Sequence, residues 1–294
     1  MKAILLGTAA GGGFPQWNCA CPQCVKCRSG DPRVPSRTQD GLAISTDGER
    51  WLLVNASPDL RYQITRTKAL APGPGRRETP IEGVLLTDGE LDHTLGLLTL
   101  REHAGLKVWA PATVLSALQN DFPIQDVIHR YNAWEWRELE STICGFTVET
   151  FGLGRKRPKY AVGSFAEGDW VVAYRFIDAE SGGVLVYAPC LSQWPPGFDT
   201  WLDSAGCVIV DGTFYSPAEM APSGVDTAKQ AAMGHLPIDG EDGSLVRARA
   251  HRGSHWIYTH LNNTNPVLDK NSAEYRRVRH SGADVPVDGT VLEW

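Results

Sequence analysis

Three apolar runs of this 294-residue chain stop on a residue that can ligate a metal. Residues 81–87 run into Asp88, residues 208–210 into Asp211, and residues 257–259 into His260. Apolar runs this short read as strands buried on both faces, and such strands need helices or a second sheet to cover them. In α/β proteins the ends of buried strands gather ligand sites, because side chains there converge above a rigid sheet. One such end is commonplace, whereas three in one chain are what a metal cage requires.

The rest of the chain fits that frame. Residues 2–7 read as a buried first strand, and residues 42–46 and 51–55 as a hairpin turning at Asp47-Gly48. Ser57 and Pro58 look like the cap and first position of a helix. Residues 71–80, rich in Gly and Pro, form a loop, and a helix is expected from near Asp92 to about Gly105. A strand at 108–109, a helix at 111–119 and strands at 145–150, 170–176 and 184–188 follow. The pattern predicts one α/β domain over residues 1–294, built on two packed sheets with helices outside.

Composition narrows the function. With 42% hydrophobic and 21% charged residues the chain has an ordinary globular balance. Its 28 Lys and Arg against 34 Asp and Glu leave a net charge of −6, which argues against a nucleic-acid partner. The cluster Arg155-Lys156-Arg157-Pro158-Lys159 reads as a solvated hairpin tip, with RNA contact the alternative. The apolar start breaks at Gly7 and the triplet Gly11-Gly12-Gly13. That is short of the roughly 7–15 residues of a secretory core and the about 20 of a spanning helix. A cytoplasmic protein with no membrane partner is expected.

Four cysteines, Cys19, Cys21, Cys24 and Cys27, fall within nine residues. So close a spacing cannot easily make two unstrained disulfides. Four thiolates wrap a tetrahedral ion well, so residues 17–29 read as a structural zinc loop with no open position for catalysis. Cys144, Cys190 and Cys207 lie in apolar surroundings and read as small buried hydrophobes.

The stretch from Leu86 to Gly96 places Asp88, Glu90, Asp92 and His93 at one strand end. Helix capping is the plain alternative for its acids. Two histidines and one or two carboxylates with positions left open would match non-haem iron(II) or a catalytic zinc. Glu90 and Asp88 are candidates for ligand steering or proton exchange, or are solvated loop acids. His235, in a Gly/Pro-punctuated loop, is a candidate for substrate contact or proton transfer. His251 and His255 are weaker alternatives as ligands, and His103, His129 and His280 read as surface residues. The aromatic clusters at 131–136 and around Trp194 read as packing.

Thr87-x-x-x-x-Asp92-His93-x-x-Gly96, then Asp211-Gly212-Thr213, then Thr259-His260-x-Asn262-Asn263 resemble the metallo-β-lactamase superfamily. The N-terminus and Val54-Asn55-Ala56-Ser57-Pro58-Asp59-Leu60-Arg61 are similar to its ribonuclease Z-like branch. The four-cysteine loop, Met233-Gly234-His235-Leu236-Pro237 and the segment from Tyr258 to Pro266 resemble the family serving pyrroloquinoline quinone (PQQ) biosynthesis, over nearly the whole chain. The resemblance implies an αββα sandwich. One motif departs: binuclear hydrolases of the superfamily present His-x-His-x-Asp-His, whereas this chain has Asp88-Gly89-Glu90-Leu91-Asp92-His93. Both histidines of the first metal pocket are acids here, while Asp92, His93, Asp211 and His260 keep the second pocket.

The resemblance therefore implies a mononuclear iron(II) site on those four ligands. It implies an oxygenase that uses O2 to hydroxylate the tyrosine ring of a Glu–Tyr dipeptide cut from the PQQ precursor peptide, with Glu90 and His235 as further catalytic candidates. Other PQQ biosynthesis enzymes are the expected partners. The competing readings are a mononuclear zinc hydrolase on the same ligands and a non-catalytic carrier of the quinone. Replacing His93 or His260 with Ala is expected to abolish the catalytic metal and leave the cysteine-bound ion, a difference that metal counting on the purified variants will read.

Overall fold

The computed structural model describes residues 1–293. Among these, fourteen strands form: β1 (Lys2–Gly7), β2 (Gly41–Ser45), β3 (Trp51–Val54), β4 (Ile81–Leu85), β5 (Lys107–Trp109), β6 (Glu135–Arg137) and β7 (Thr142–Ile143). They continue with β8 (Phe146–Gly154), β9 (Val171–Ile177), β10 (Val184–Ala188), β11 (Cys207–Asp211), β12 (His255–Thr259), β13 (Ala283–Asp284) and β14 (Val291–Glu293). The chain divides into two compact units.

The first unit takes Met1–Gly7, Asp40–Gly183 and the segment from Gly289 onward. Its main sheet has the order β14-β1-β2-β3-β4-β5-β6. Pairing is antiparallel from β14 to β3 and parallel from β3 to β6. The parallel half needs crossovers, and helices Leu60–Arg66, Leu91–Thr94 and Ala112–Asn120 supply them. Trp51, Leu53, Val84 and Val108 of the sheet pack with Leu60, Leu97, Val114 and Leu118 from these crossovers. Strands β7, β8 and β9 pair antiparallel in the same unit.

Two boundaries differ from the sequence reading for reasons that bear on the site. The helix after β3 starts at Leu60, with Asp59 at its N-cap. The Ser57 hydroxyl does not cap it but donates to Gln63 Oε1 at 3.1 Å. The preceding residue is held alongside the β4 loop, with Ala56 N donating to His93 O at 2.7 Å and Gly96 N to Ala56 O at 2.8 Å. Strand β4 ends at Leu85, two residues early, because Thr87 N turns away to Asn55 Oδ1 at 3.0 Å. The expected helix to Gly105 is one α-turn, Leu91–Thr94, followed by the 3-10 segment Leu95–Glu102.

The second unit takes Thr8–Gln39 and Val184–Asp288. Strands β10, β11, β12 and β13 are parallel neighbours, and β10 and β11 are buried throughout. Cys190 and Cys207 are buried as expected. Cys144, in the first unit, is only partly buried and occupies the turn between β7 and β8 with φ 47°, so it is not a core hydrophobe. The cysteine-rich loop holds an unexpected short helix, Pro22–Arg28. Among the described residues no helix is long and apolar enough to cross a membrane.

Gly96 marks the tightest backbone approach in the β4 loop. A Cβ there would lie 2.2 Å from Ser57 O and 2.8 Å from the Ala56 carbonyl, so nothing flexible can give way. G96A is expected to destabilise the fold by about 1–3 kcal/mol, the usual cost of overpacking. A methyl group added at Gly163 would meet only open space, so G163A is expected to leave the denaturation midpoint nearly unchanged.

Candidate metal centres

In the first unit the β4 loop and the turn Leu91–Thr94 shape the site. His93 is fully buried, and its Nδ1 lies 2.8 Å from Asp88 Oδ2. Asp88 is itself buried, accepts from Thr87 Oγ1 at 2.8 Å, and takes the Glu90 N–H on its other oxygen at 2.9 Å. Two tyrosines brace the loop: Tyr174 donates to Leu86 O at 2.6 Å and Tyr160 to Gly89 O at 2.5 Å. Burial, then Asp88, pushes both phenols up, so they stay protonated donors.

Electrostatics follow from that packing. Burial opposes a charge on His93, but Asp88 and then Asp92 outweigh it and raise the imidazole to about 10. Burial likewise opposes the Asp88 charge, and His93 more than compensates, so Asp88 sits below the usual carboxylate range. Glu90 is pushed up by burial and by Asp88, with Lys156 Nζ 3.8 Å away pulling the other way. Asp92 is half-buried in the first turn of its helix and is not its cap, which is Glu90.

In the second unit Asp211, His235 and His260 bring one ligand atom each within 4.8 Å of one another. Asp211 closes β11, and His260 follows β12 with φ 55°. His235 Nδ1 meets Asp211 Oδ2 at 2.7 Å, and the two imidazoles stack with ring centroids 5.1 Å apart. Thr213 Oγ1 is the hub: it lies 2.7 Å from Asp211 Oδ1 and 2.8 Å from His260 Nδ1. Burial opposes the Asp211 charge, yet His235, His260 and the Leu191 N–H hold it below the usual range.

The cysteine loop divides. The sulfurs of Cys19, Cys21 and Cys24 lie within 4.8 Å of one another, and Cys27 is not in that group. Asn263 stands against the cluster, with Nδ2 at 3.1 Å from Cys19 Sγ and 3.6 Å from the sulfurs of Cys21 and Cys24. Three converging sulfurs suit a soft ion such as zinc. His251 and His255 are engaged elsewhere, with Asp199 at 3.0 Å and Asp284 at 2.8 Å.

Of the residues the sequence singles out, the structure brings His93 against Asp88 and gathers Asp211, His235 and His260, whereas Thr213 was not among them. Asp88 carried a visible signal, a carboxylate five residues before a histidine, whose role depends on how the loop folds back. Thr213 sits in the Asp-Gly-Thr motif, and its reach to His260 is a long-range contact that no local pattern encodes. The donor chemistry of Asp211, His235 and His260 fits a metal. Nδ1 of His93 and of His260 is engaged by an internal oxygen, which leaves Nε2 as the nitrogen a metal would use, the usual arrangement of a metal-binding imidazole.

The fold and these donors define a protein of the metallo-β-lactamase superfamily, and residues 50–261 match the family described as β-lactamase superfamily domain. Coenzyme PQQ synthesis protein B of Methylobacterium nodulans is 40% identical, with 99% of each chain covered. The protein of that description from Methylococcus capsulatus is 37% identical over 97% of each. A crystal structure described as zinc-bound PqqB from Methylobacterium extorquens matches with a TM-score of 0.91 at 35% identity, over the whole of both chains. The chain belongs to the coenzyme PQQ synthesis protein B family.

Replacing Asp88 with Asn is expected to weaken metal binding at His93 by about 10–100-fold, the usual effect of losing such an orienting partner. The sign of the pH dependence also follows. Below about 10 the metal-free His93 holds a proton that a metal must displace, so affinity rises with pH across the neutral range. In D88N that rise should level off nearer the ordinary histidine range. Competition titrations with a chelator at several pH values will check both effects.

Proposed function

We propose that the chain is a mononuclear non-haem iron(II) oxygenase of PQQ biosynthesis, acting on the tyrosine ring of a Glu–Tyr dipeptide. Its ligands are Asp92, His93, Asp211 and His260, the set that the sequence resemblance implies. The observation that carries a one-metal reading is Asp88. This acid stands where two-metal hydrolases place a histidine, and here it is buried and bonded to His93 Nδ1 at 2.8 Å. An acid so engaged orients the imidazole and is not available to build a second metal pocket.

Bound iron(II) would supply the activation of dioxygen. In the overall reaction one oxygen atom enters the ring and the other leaves as water, with two electrons from an external reductant. The protein's own groups hold protons and position the substrate. His235 bonds to Asp211 Oδ2 through Nδ1 and remains slightly exposed, which suits it to pass a proton between Asp211 and solvent. Glu90, raised by burial and by Asp88, suits a proton-exchanging acid beside His93.

The basic segment 155–159 also takes a role in this reading. It does not project as a hairpin tip: Tyr160 ties its end to Gly89, Arg157 lies over Trp170 with 5.6 Å to the ring centroid, and Lys156 reaches Glu90. The Lys156–Glu90 pair is long and half-exposed, and such pairs contribute little on their own. A substrate carboxylate can displace it, so the segment suits a dipeptide bearing two carboxylates.

A mononuclear zinc hydrolase is the second reading, favoured by the zinc described for the related PqqB crystal structure. Protein prepared without oxygen, loaded with iron(II) and given Glu–Tyr, a reductant and labelled dioxygen separates the two. A mass gain of one or two labelled oxygens, falling to background in H93A, is expected. A cleaved dipeptide formed without dioxygen would favour the hydrolase, and an unchanged dipeptide with tight quinone binding would favour a carrier.

A further inference from the structure

We propose that Asn263 is a positioning residue that couples the cysteine cluster to His260, so that a metal on Cys19, Cys21 and Cys24 strengthens metal binding at Asp211 and His260. The proposal rests on the reading above that Asp211 and His260 ligate the catalytic metal. It concerns a link that neither site needs for its own chemistry.

The link is short and lies wholly within the second unit. Asn263 lies in the turn that Asn265 N closes by donating to Asn262 O at 3.0 Å, and His260 stands three residues before it with a left-handed φ of 55°, uncommon for a residue other than glycine. Four contacts fix the residues that follow it. Leu261 N donates to Thr8 O at 2.9 Å and Asn262 N to Thr213 O at 3.0 Å. Thr264 Oγ1 donates to Glu219 Oε1 at 2.5 Å, and Asn265 Nδ2 to Gly212 O at 2.8 Å. Between these fixed points, the Asn263 side chain is anchored by sulfur.

That anchor is the one that depends on a metal. Asn263 is buried, and its amide reaches all three sulfurs, while Cys21 Sγ reaches Asn263 O at 3.4 Å. Neutral thiols are weak acceptors, and three unbridged side chains can each change rotamer. Ligation fixes the three sulfurs around one ion as thiolates, and ionised acceptors make the stronger hydrogen bonds. The Cys21 S–H contact is then lost, but the two N–H groups of the Asn263 amide, shared among the three thiolates, bind more strongly and hold Asn263 and, through the short backbone stretch from 260 to 263, the orientation of the His260 imidazole. By linkage, an ion at the histidine side must tighten the cysteine side by the same factor.

Cobalt(II) gives the test its spectroscopic readout. Wild-type protein is compared with its cysteine cluster empty and filled with zinc, and the d–d absorption of cobalt at the nitrogen and oxygen ligands is titrated in each. Filling the cluster is expected to tighten cobalt binding by about 10–100-fold, the range for an orienting contact. In N263A the cysteines should still bind zinc, shown by thiols protected from a thiol reagent, but the tightening should vanish and the d–d spectrum should shift. C24S should weaken cobalt binding no further when combined with N263A, because both break one link. Equal cobalt affinity with the cluster empty and filled in wild type, or full tightening in N263A, would overturn the coupling. If H260A binds cobalt with wild-type affinity and spectrum, the ligand assignment fails instead.

Discussion

A buried imidazole can serve a metal through one nitrogen only if the other is satisfied inside the protein. That requirement organises both candidate metal-binding regions. His93 is wholly enclosed, so leaving Nδ1 without an acceptor would cost on the order of 1–3 kcal/mol, and Asp88 removes the penalty. Asp88 in turn is a buried carboxylate, and breaking such a pair by removing one partner typically costs about 3–5 kcal/mol. Hence Thr87 Oγ1 and Glu90 N donate to it, Tyr174 and Tyr160 secure the carbonyls on either side, and Gly89 and Gly96 leave room for the close approaches. The same loop is tied at its ends, where Thr87 N bonds Asn55 Oδ1 and shortens β4 and where Ala56 N donates to the His93 carbonyl.

Across the second unit a single hydroxyl does the corresponding work. Thr213 has one proton, and among the oxygens and nitrogens around it the ionised Asp211 is the strongest acceptor. With its proton given to Asp211 Oδ1, Thr213 Oγ1 accepts from His260, which places that imidazole's proton on Nδ1. Asp211 is further steadied by the N–H groups of Leu191 and Thr213, so a carboxylate in a dry strand end stays ionised. His235 enters this network from a loop and retains some exposure, which distinguishes it from the rigid strand-end groups.

What the sequence made legible were features with a local signature. Apolar runs located β1, β4, β10, β11 and β12, because strands buried on both faces carry no polar interruption. The residues that close three of those runs marked Asp88, Asp211 and His260. The edge strands β6, β7, β13 and β14 span three residues or fewer and have no comparable run, so they went unread. Ser57 misled because a Ser-Pro pair is a good helix start locally, whereas its hydroxyl bonds the Gln63 side chain of the following helix. The four-cysteine spacing announced a metal loop, but spacing cannot say which sulfurs converge, and Cys27 does not join the other three.

The departure from the binuclear pattern has its own physical logic. Exchanging a histidine for Asp88 does more than delete a ligand for a second ion. It places a negative charge against the remaining imidazole, which makes His93 a more basic donor and favours a cation at Nε2. The same charge, with Asp92 and Glu90, makes the β4 loop acidic, and the segment carrying Arg155, Lys156, Arg157 and Lys159 follows β8 within that unit. Lys156 partly offsets the acid without neutralising it, because 3.8 Å across a half-exposed pair is a weak bond. An acidic loop that sets negative charge against one imidazole, with the loosely held Lys156 beside Glu90, is the feature on which the proposal of a single ion and an anionic substrate rests.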